Sequence, residues 1–126
     1  MYITTKTIIK MNALLGFSWE GFEQDWAIEF ADLNRVEEFI LVAQTQSLTS
    51  EEKFAIISLI LASYDRLLDS TEEVENHLWP QIAQLLDDNF EISNDLLQYW
   101  AQWEDERDDN LFAITPMIRE YLAKRT

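Results

Sequence analysis

The stretch LTSEEKFAIISLILASYDRLL, residues 48–68, decides the fold of this chain. Thr49 is a favourable N-cap residue, and Glu52 follows three positions later, which is the spacing of a capping box. Between residues 54 and 64 only two side chains, both serines, are polar. A helix that is apolar nearly all round is normally buried on all sides. The sequence therefore predicts a buried central helix over 50–68.

The composition favours an all-α protein. The chain has 126 residues, of which 48% are hydrophobic, and it contains only two Gly and two Pro. This length fits one domain with its own core, and proteins built from sheets use more Gly and Pro in their turns. We therefore expect a single helical domain over 1–126, a bundle of about five to six helices packed around the central helix.

The N-terminal segment has a different local character. Residues 1–11 are rich in β-branched Ile and Thr, which favour strands. We expect residues 1–19 to be extended or to form a short hairpin. A short first helix over the same residues is the alternative.

Further boundaries follow from capping residues and prolines. Asp32 and Ser93 are predicted N-caps, and Ser70 with Glu73 repeats the capping-box spacing. Pro80 either kinks a helix or begins a new one, because proline lacks the amide hydrogen that a helix interior needs. A last helix is expected to open at Thr115 with a proline in its first position.

The negative charge is concentrated in the second half of the chain. The formal net charge is −15, and residues 65–109 contain fourteen acids and two bases, a net −12. Nucleic acid and anionic membranes are poor partners for such a surface because both are polyanions. A basic protein is a suitable partner. The alternative is that the acids serve only solubility.

The sequence lacks the usual signatures of catalysis. There is no Cys and a single His, His77, so neither a zinc site nor a di-iron bundle of the usual kind can be built. No phosphate-binding loop or nucleophile elbow is present. We expect a protein that is not an enzyme and needs neither metal nor cofactor. Without a signal sequence, a long apolar span or cysteines, a cytoplasmic location is expected.

One aromatic and acidic stretch is the candidate contact surface for a partner. Its aromatic residues can anchor an interface while its acids steer association. On a helix Trp100 would share a face with Trp103, and in the alternative interpretation both are core residues beside a solvated acidic tip. The predicted partner-binding residues are Glu104, Asp105, Glu106, Asp108, Asp109, Asp87, Asp88, Tyr99 and Trp103.

Three runs of sequence resemble a family of known function. They are LTSEEKFAIISLILASYD at 48–65, the Tyr99-Trp100 pair and FAITPMIR at 112–119. Together, over roughly 48–121, they resemble the small acidic immunity proteins of bacterial polymorphic and contact-dependent toxin systems. The resemblance implies a cytoplasmic inhibitor that binds one cognate toxin, and it carries over no catalytic residue.

These observations lead to one expected function and two alternatives. The expected function is a non-enzymatic acidic inhibitor of a basic partner, foremost a nuclease toxin, whose cleft must be basic to bind a polyanion. The first alternative is a nucleic-acid mimic that inhibits a DNA-binding protein. The second is a helical structural or adaptor module without an inhibitory role.

Overall fold

The computed structural model describes residues 3–18, 26–70, 77–103 and 111–125, and all regular structure within these ranges is helical. The predicted all-α fold is therefore confirmed. Among the helices described, none combines the length and the apolar character that crossing a membrane requires. The described residues form seven helices, more than the five to six expected: α1 (Thr5–Leu15), α2 (Trp26–Glu29), α3 (Val36–Thr45), α4 (Ser50–Ser70), α5 (Leu78–Asp88), α6 (Phe90–Ala101) and α7 (Thr115–Arg125).

The predicted central helix is α4, and the prediction is confirmed. Its capping box is formed, because the Thr49 amide donates to Glu52 Oε1 at 2.8 Å and the Glu52 amide donates to Thr49 Oγ1 at 3.2 Å. Every residue from 54 to 64 is buried, and α4 packs against α1, α2, α3, α5 and α6. The helix runs to Ser70, slightly beyond its expected end.

The N-terminal segment forms helix α1, so the prediction of an extended or hairpin structure over 1–19 is wrong for the residues described there. Thr4 is the N-cap and accepts from the Thr7 amide at 3.3 Å, while Gly16 ends the helix with a φ of +76°. The Glu51 carboxylate of α4 accepts from both threonine hydroxyls, and the bond from Thr7 lowers the pKa of Glu51. Strand propensity is a weak local preference, and these caps and the contact with α4 outweigh it.

Helix α3 begins at Val36, so the prediction that Asp32 is its N-cap is wrong. Asp32 instead closes a turn, in which its Oδ1 accepts from the Asn34 amide at 2.9 Å. Its own amide donates to Ser63 Oγ of α4 at 3.0 Å. Asp side chains stabilise turns and helix starts through the same type of bond, so the sequence alone does not distinguish the two.

The starts of α5, α6 and α7 agree only in part with the predictions. Helix α5 begins at Leu78, so it starts two residues before Pro80 and not at the proline itself. Pro80 still lies in the first turn, where its missing amide hydrogen has no helical acceptor. Pro116 is the second residue of α7. Ser93 lies inside α6 and is 0% exposed, so its prediction as an N-cap is wrong. Ser70 ends α4, and Glu73, its predicted capping partner, lies outside the described residues.

Candidate protein-interaction site

Helix α6 presents a row of acidic and aromatic side chains to solvent. Because α6 begins at Phe90, the residues Glu91, Asp95 and Tyr99 recur at intervals of four and lie on one face. All three are exposed. Successive members are about 6 Å apart along the helix axis, from a rise of about 1.5 Å per residue. We call these three residues the α6 row.

Tyr99 is anchored from behind while much of its ring remains accessible. Its ring lies 5.3 Å from that of Trp100, nearly perpendicular to it, and 5.6 Å from that of Phe112. Trp100 is only 4% exposed, whereas Tyr99 is 52% exposed. An aromatic side chain with few rotatable bonds loses little conformational entropy when a partner covers it. Tyr99 therefore has the surroundings of an interface anchor.

Trp103 is separated from the core by the end of α6, so the prediction that it shares a helical face with Trp100 is wrong. The helix ends one residue after Trp100, and Gln102 adopts a left-handed backbone with a φ of 50°. Trp103 is consequently 50% exposed, and its Nε1 donates to Gln98 Oε1 at 3.0 Å. One tryptophan of the pair belongs to the core and the other to the surface.

The end of α6 is tied to α7 through its carbonyl groups. The Thr115 hydroxyl donates to the Trp100 carbonyl at 2.7 Å, and Arg119 Nε donates to the Ala101 carbonyl at 2.6 Å. The last carbonyls of a helix have no partner within the helix, so these bonds satisfy them. They also fix the turn that carries Trp103 beside α7.

The two aspartates predicted at the end of α5 differ in their surroundings. Asp87 Oδ1 accepts from the Tyr121 hydroxyl at 2.6 Å and from Arg125 at 2.8 Å. Burial, followed by the bond to Asp87, raises the pKa of Tyr121 to about 12. Asp88 is exposed, and its Oδ1 accepts from the side-chain Nε2 of Gln84 at 3.0 Å. Asp87 is thus engaged with α7, and Asp88 is the better placed of the two for a partner.

The five remaining predicted residues lie outside the part of the chain that the structure describes. In the sequence they directly follow Trp103. Their predicted role as partner contacts stays a prediction, and these residues are Glu104, Asp105, Glu106, Asp108 and Asp109.

Two other titratable side chains make contacts between segments that are far apart in the sequence. Asp65 of α4 accepts from the Ile114 amide at 3.0 Å, just before α7 begins, and burial raises the pKa of Asp65. His77 Nε2 lies 2.6 Å from Glu37 Oε1, which links the start of α5 to α3. Within residues 3–18, 26–70, 77–103 and 111–125, no three His, Asp or Glu side chains form a group that could hold a metal ion.

Glu91 and Asp95 were not among the residues predicted to contact a partner. Their alignment with Tyr99 depends on where α6 begins. With Ser93 as the N-cap, Glu91 would precede the helix and the row would not exist. The signal in the sequence is the recurrence of Glu91, Asp95 and Tyr99 at intervals of four, which becomes informative once Phe90 starts the helix.

Comparison with known proteins adds no relative. No protein-family model, no curated protein and no solved structure matches this chain.

Proposed function

We propose that this protein is a non-enzymatic inhibitor that binds a basic partner protein through the face formed by the α6 row and Trp103. The observation that carries the proposal is the exposure of Tyr99 and Trp103, at 52% and 50%, beside the acids Glu91 and Asp95. Aromatic residues are enriched at the centres of protein interfaces. Acids beside them steer a partner of opposite charge and accelerate its association.

A nuclease toxin is the partner class that this chemistry fits best. A nuclease binds a polyanion, so its cleft is basic, and an acidic inhibitor can cover that cleft. The resemblance of residues 48–121 to toxin immunity proteins supports the same partner class. A cytoplasmic inhibitor of one bacterial toxin is the resulting proposal.

The composition of the α6 row favours an anchored protein interface over a mimic of nucleic acid. A mimic needs a long series of carboxylates, because each DNA strand carries a phosphate about every 3.4 Å along its axis. In the α6 row two carboxylates about 6 Å apart are followed by Tyr99. A tyrosine buries apolar area and does not imitate a phosphate.

The test uses the polypeptide encoded next to this gene as the candidate toxin. We expect it to bind this protein in a defined complex, measured by titration calorimetry, and to lose its nucleic-acid cleavage in that complex. The double variant Glu91→Gln/Asp95→Asn should bind about 5 to 30 times more weakly at low salt, since each exposed pair contributes up to about 1 kcal/mol. Its affinity should also depend less on salt.

A matched variant controls for net charge. Glu29→Gln/Asp69→Asn removes the same two charges from exposed positions on α2 and α4, and it should change affinity less than about threefold if the position of the charges, and not their number, determines binding. Equal weakening by both double variants would reject the α6 row as the contact surface. Absence of binding by the wild-type protein would reject the toxin assignment.

A further inference from the structure

An open groove lies between α6 and α7, next to the α6 row. Its volume is about 500 Å³. One wall consists of Phe90, Asn94 and Gln98, which recur at intervals of four along α6, with Trp103 beyond the helix end. From Phe90 to Gln98 this wall is about 12 Å long, which is roughly two helical turns.

The opposite wall comes from the last turns of α7. Leu122, Ala123 and Arg125 line it, and Ala123 is exposed. The Arg125 guanidinium lies 3.9 Å from the centre of the Phe90 ring and thereby covers that ring at one end of the groove. The apolar residues of the groove provide surface for burial, while a few amide groups provide direction, as in typical binding sites.

The amide groups of the α6 wall are held in one arrangement. Gln98 Oε1 accepts from Trp103 Nε1 at 3.0 Å, and Gln98 Nε2 donates to Asn94 Oδ1 at 3.3 Å. This chain of bonds holds Trp103 beside Gln98, and the Arg119 guanidinium lies 5.5 Å from the centre of the Trp103 ring. Because these side chains are already ordered, less conformational entropy is lost when a partner binds to the wall.

The two rims of the groove differ in charge. On the α7 side the cations are paired within the protein, because Lys124 lies 3.0 Å from Glu120 and Arg125 lies 2.8 Å from Asp87. On the α6 side the rim carries the exposed carboxylate of Glu91, and Asp95 lies one turn further along the same face. The field around the groove is therefore negative on the α6 side, and it favours an occupant with positive charge on that flank.

We infer that this groove receives a basic amphipathic helix of the partner protein. Apolar side chains of that helix enter between Trp103 and Leu122, and its lysines or arginines face Glu91 and Asp95. This is the helix-in-groove mode of recognition. The negative charge of the rim orients the partner helix so that its basic side faces α6. The inference rests on the proposed function, since it names the element through which a basic partner binds.

The experiment uses two synthetic helical peptides of about 14 residues, close to four turns, titrated into the full chain and followed by fluorescence anisotropy. The first peptide has Leu at helical spacing with Lys on the flanks. The second keeps every Lys and replaces each Leu with Gln. We expect the first peptide to bind at least about ten times more tightly, a difference of about 1.4 kcal/mol. Equal binding of the two peptides would reject the inference in favour of simple charge attraction.

A variant that fills the groove identifies where the peptide binds. Ala123→Trp should weaken binding of the Leu-containing peptide at least about tenfold and leave the Gln-containing peptide unchanged. The matched control is Ala13→Trp, which adds the same side chain at an exposed position of α1, and it should change binding less than about twofold. Ala123→Leu fills the groove less and should give an intermediate loss. Unchanged binding by both groove variants would overturn the inference.

The same variants separate this inference from the proposed function. If the neighbouring gene product binds Ala123→Trp as well as wild type but binds Glu91→Gln/Asp95→Asn weakly, the groove inference is wrong and the proposed function stands. If that product does not bind at all while the Leu-containing peptide binds in the groove, the groove inference stands and the toxin assignment is wrong.

Discussion

Replacing Ser93 with alanine tests both the core and the register of α6. The Ser93 hydroxyl is fully buried and has no hydrogen-bond partner among the residues that the structure describes. An unpaired buried hydroxyl costs about 1–3 kcal/mol, and alanine has a higher helix propensity than serine by roughly 0.5 kcal/mol. The substitution also removes the few packing contacts of the hydroxyl oxygen, and each lost contact offsets about 0.1–0.2 kcal/mol of the expected stabilisation.

The expected net effect of Ser93→Ala is a gain of about 1 kcal/mol in the free energy of unfolding. Unfolding a chain of 126 residues has an entropy of roughly 0.26 kcal/mol/K, so this gain raises Tm by about 4 °C. The assay is urea denaturation followed by circular dichroism, with a thermal scan as the second measurement. If Ser93 were an N-cap, the same substitution would cost about 1 kcal/mol. The sign of the change in the free energy of unfolding therefore distinguishes a Ser93 inside α6 from a Ser93 at its N-cap.

Two other buried serines supply matched controls. The Ser58 hydroxyl donates to the Phe54 carbonyl at 2.9 Å within α4, so Ser58→Ala loses one bond, gains helix propensity and should stay within about 0.5 kcal/mol of wild type. Ser63 Oγ accepts from the Asp32 amide at 3.0 Å, and Ser63→Ala should cost about 1 kcal/mol because that amide loses its partner.

A loss of stability in Ser93→Ala, with Ser58→Ala near neutral, would refute the placement of Ser93 inside α6. That result would also contradict the arrangement of the candidate site. A helix that starts at Ser93 would leave Glu91 outside it, and the α6 row would no longer be a row. A stability measurement therefore tests the geometry on which the proposed function rests.

Three further predictions concern stability. Leu59→Ala in α4 should cost about 3–5 kcal/mol in urea denaturation, because Leu59 is 0% exposed and its loss leaves a cavity, whereas Leu41→Ala, at 57% exposed, should stay within about 0.5 kcal/mol. Thr49→Ala should cost about 1 kcal/mol by the same assay through loss of the capping box, and no cost would contradict the role of that cap. The pKa of Asp65 is raised in the folded state above its ordinary value of 3.8. The stability of wild type relative to Asp65→Asn should therefore be greatest below pH 3.8 and should fall as the pH rises through the folded-state pKa. A stability difference that stays constant with pH would contradict this prediction.

Much of the fold could be predicted from residues 48–68. The capping box and the apolar character between 54 and 64 are local properties, and each predicts the same helix. The predicted helix boundaries were wrong where the local sequence preference for one structure was weak. Asp32 and Ser93 are both good N-cap residues by type, yet one closes a turn and the other is buried inside α6.

The candidate site was predictable in its composition but not in its arrangement. Tyr99 and Trp103 were expected at the surface and are exposed there. The division between Trp100 and Trp103 depends on the left-handed backbone at Gln102 and on the bonds from α7 to the end of α6. Contacts between residues far apart in the sequence determine where α6 ends, and the local sequence does not predict these contacts.

The sequence by itself determined the helical class, the central helix and its start, and the concentration of acids after it. These follow from hydrophobic periodicity, capping chemistry and charge, all of which act over a few residues. Only the tertiary structure decided that residues 5–15 form a helix, that Asp87 is engaged by α7, and that a groove opens beside Glu91 and Asp95. The physical reason is that helix α1, the pairing of Asp87 and the groove all depend on contacts between helices, where burial and long-range hydrogen bonds outweigh local propensity.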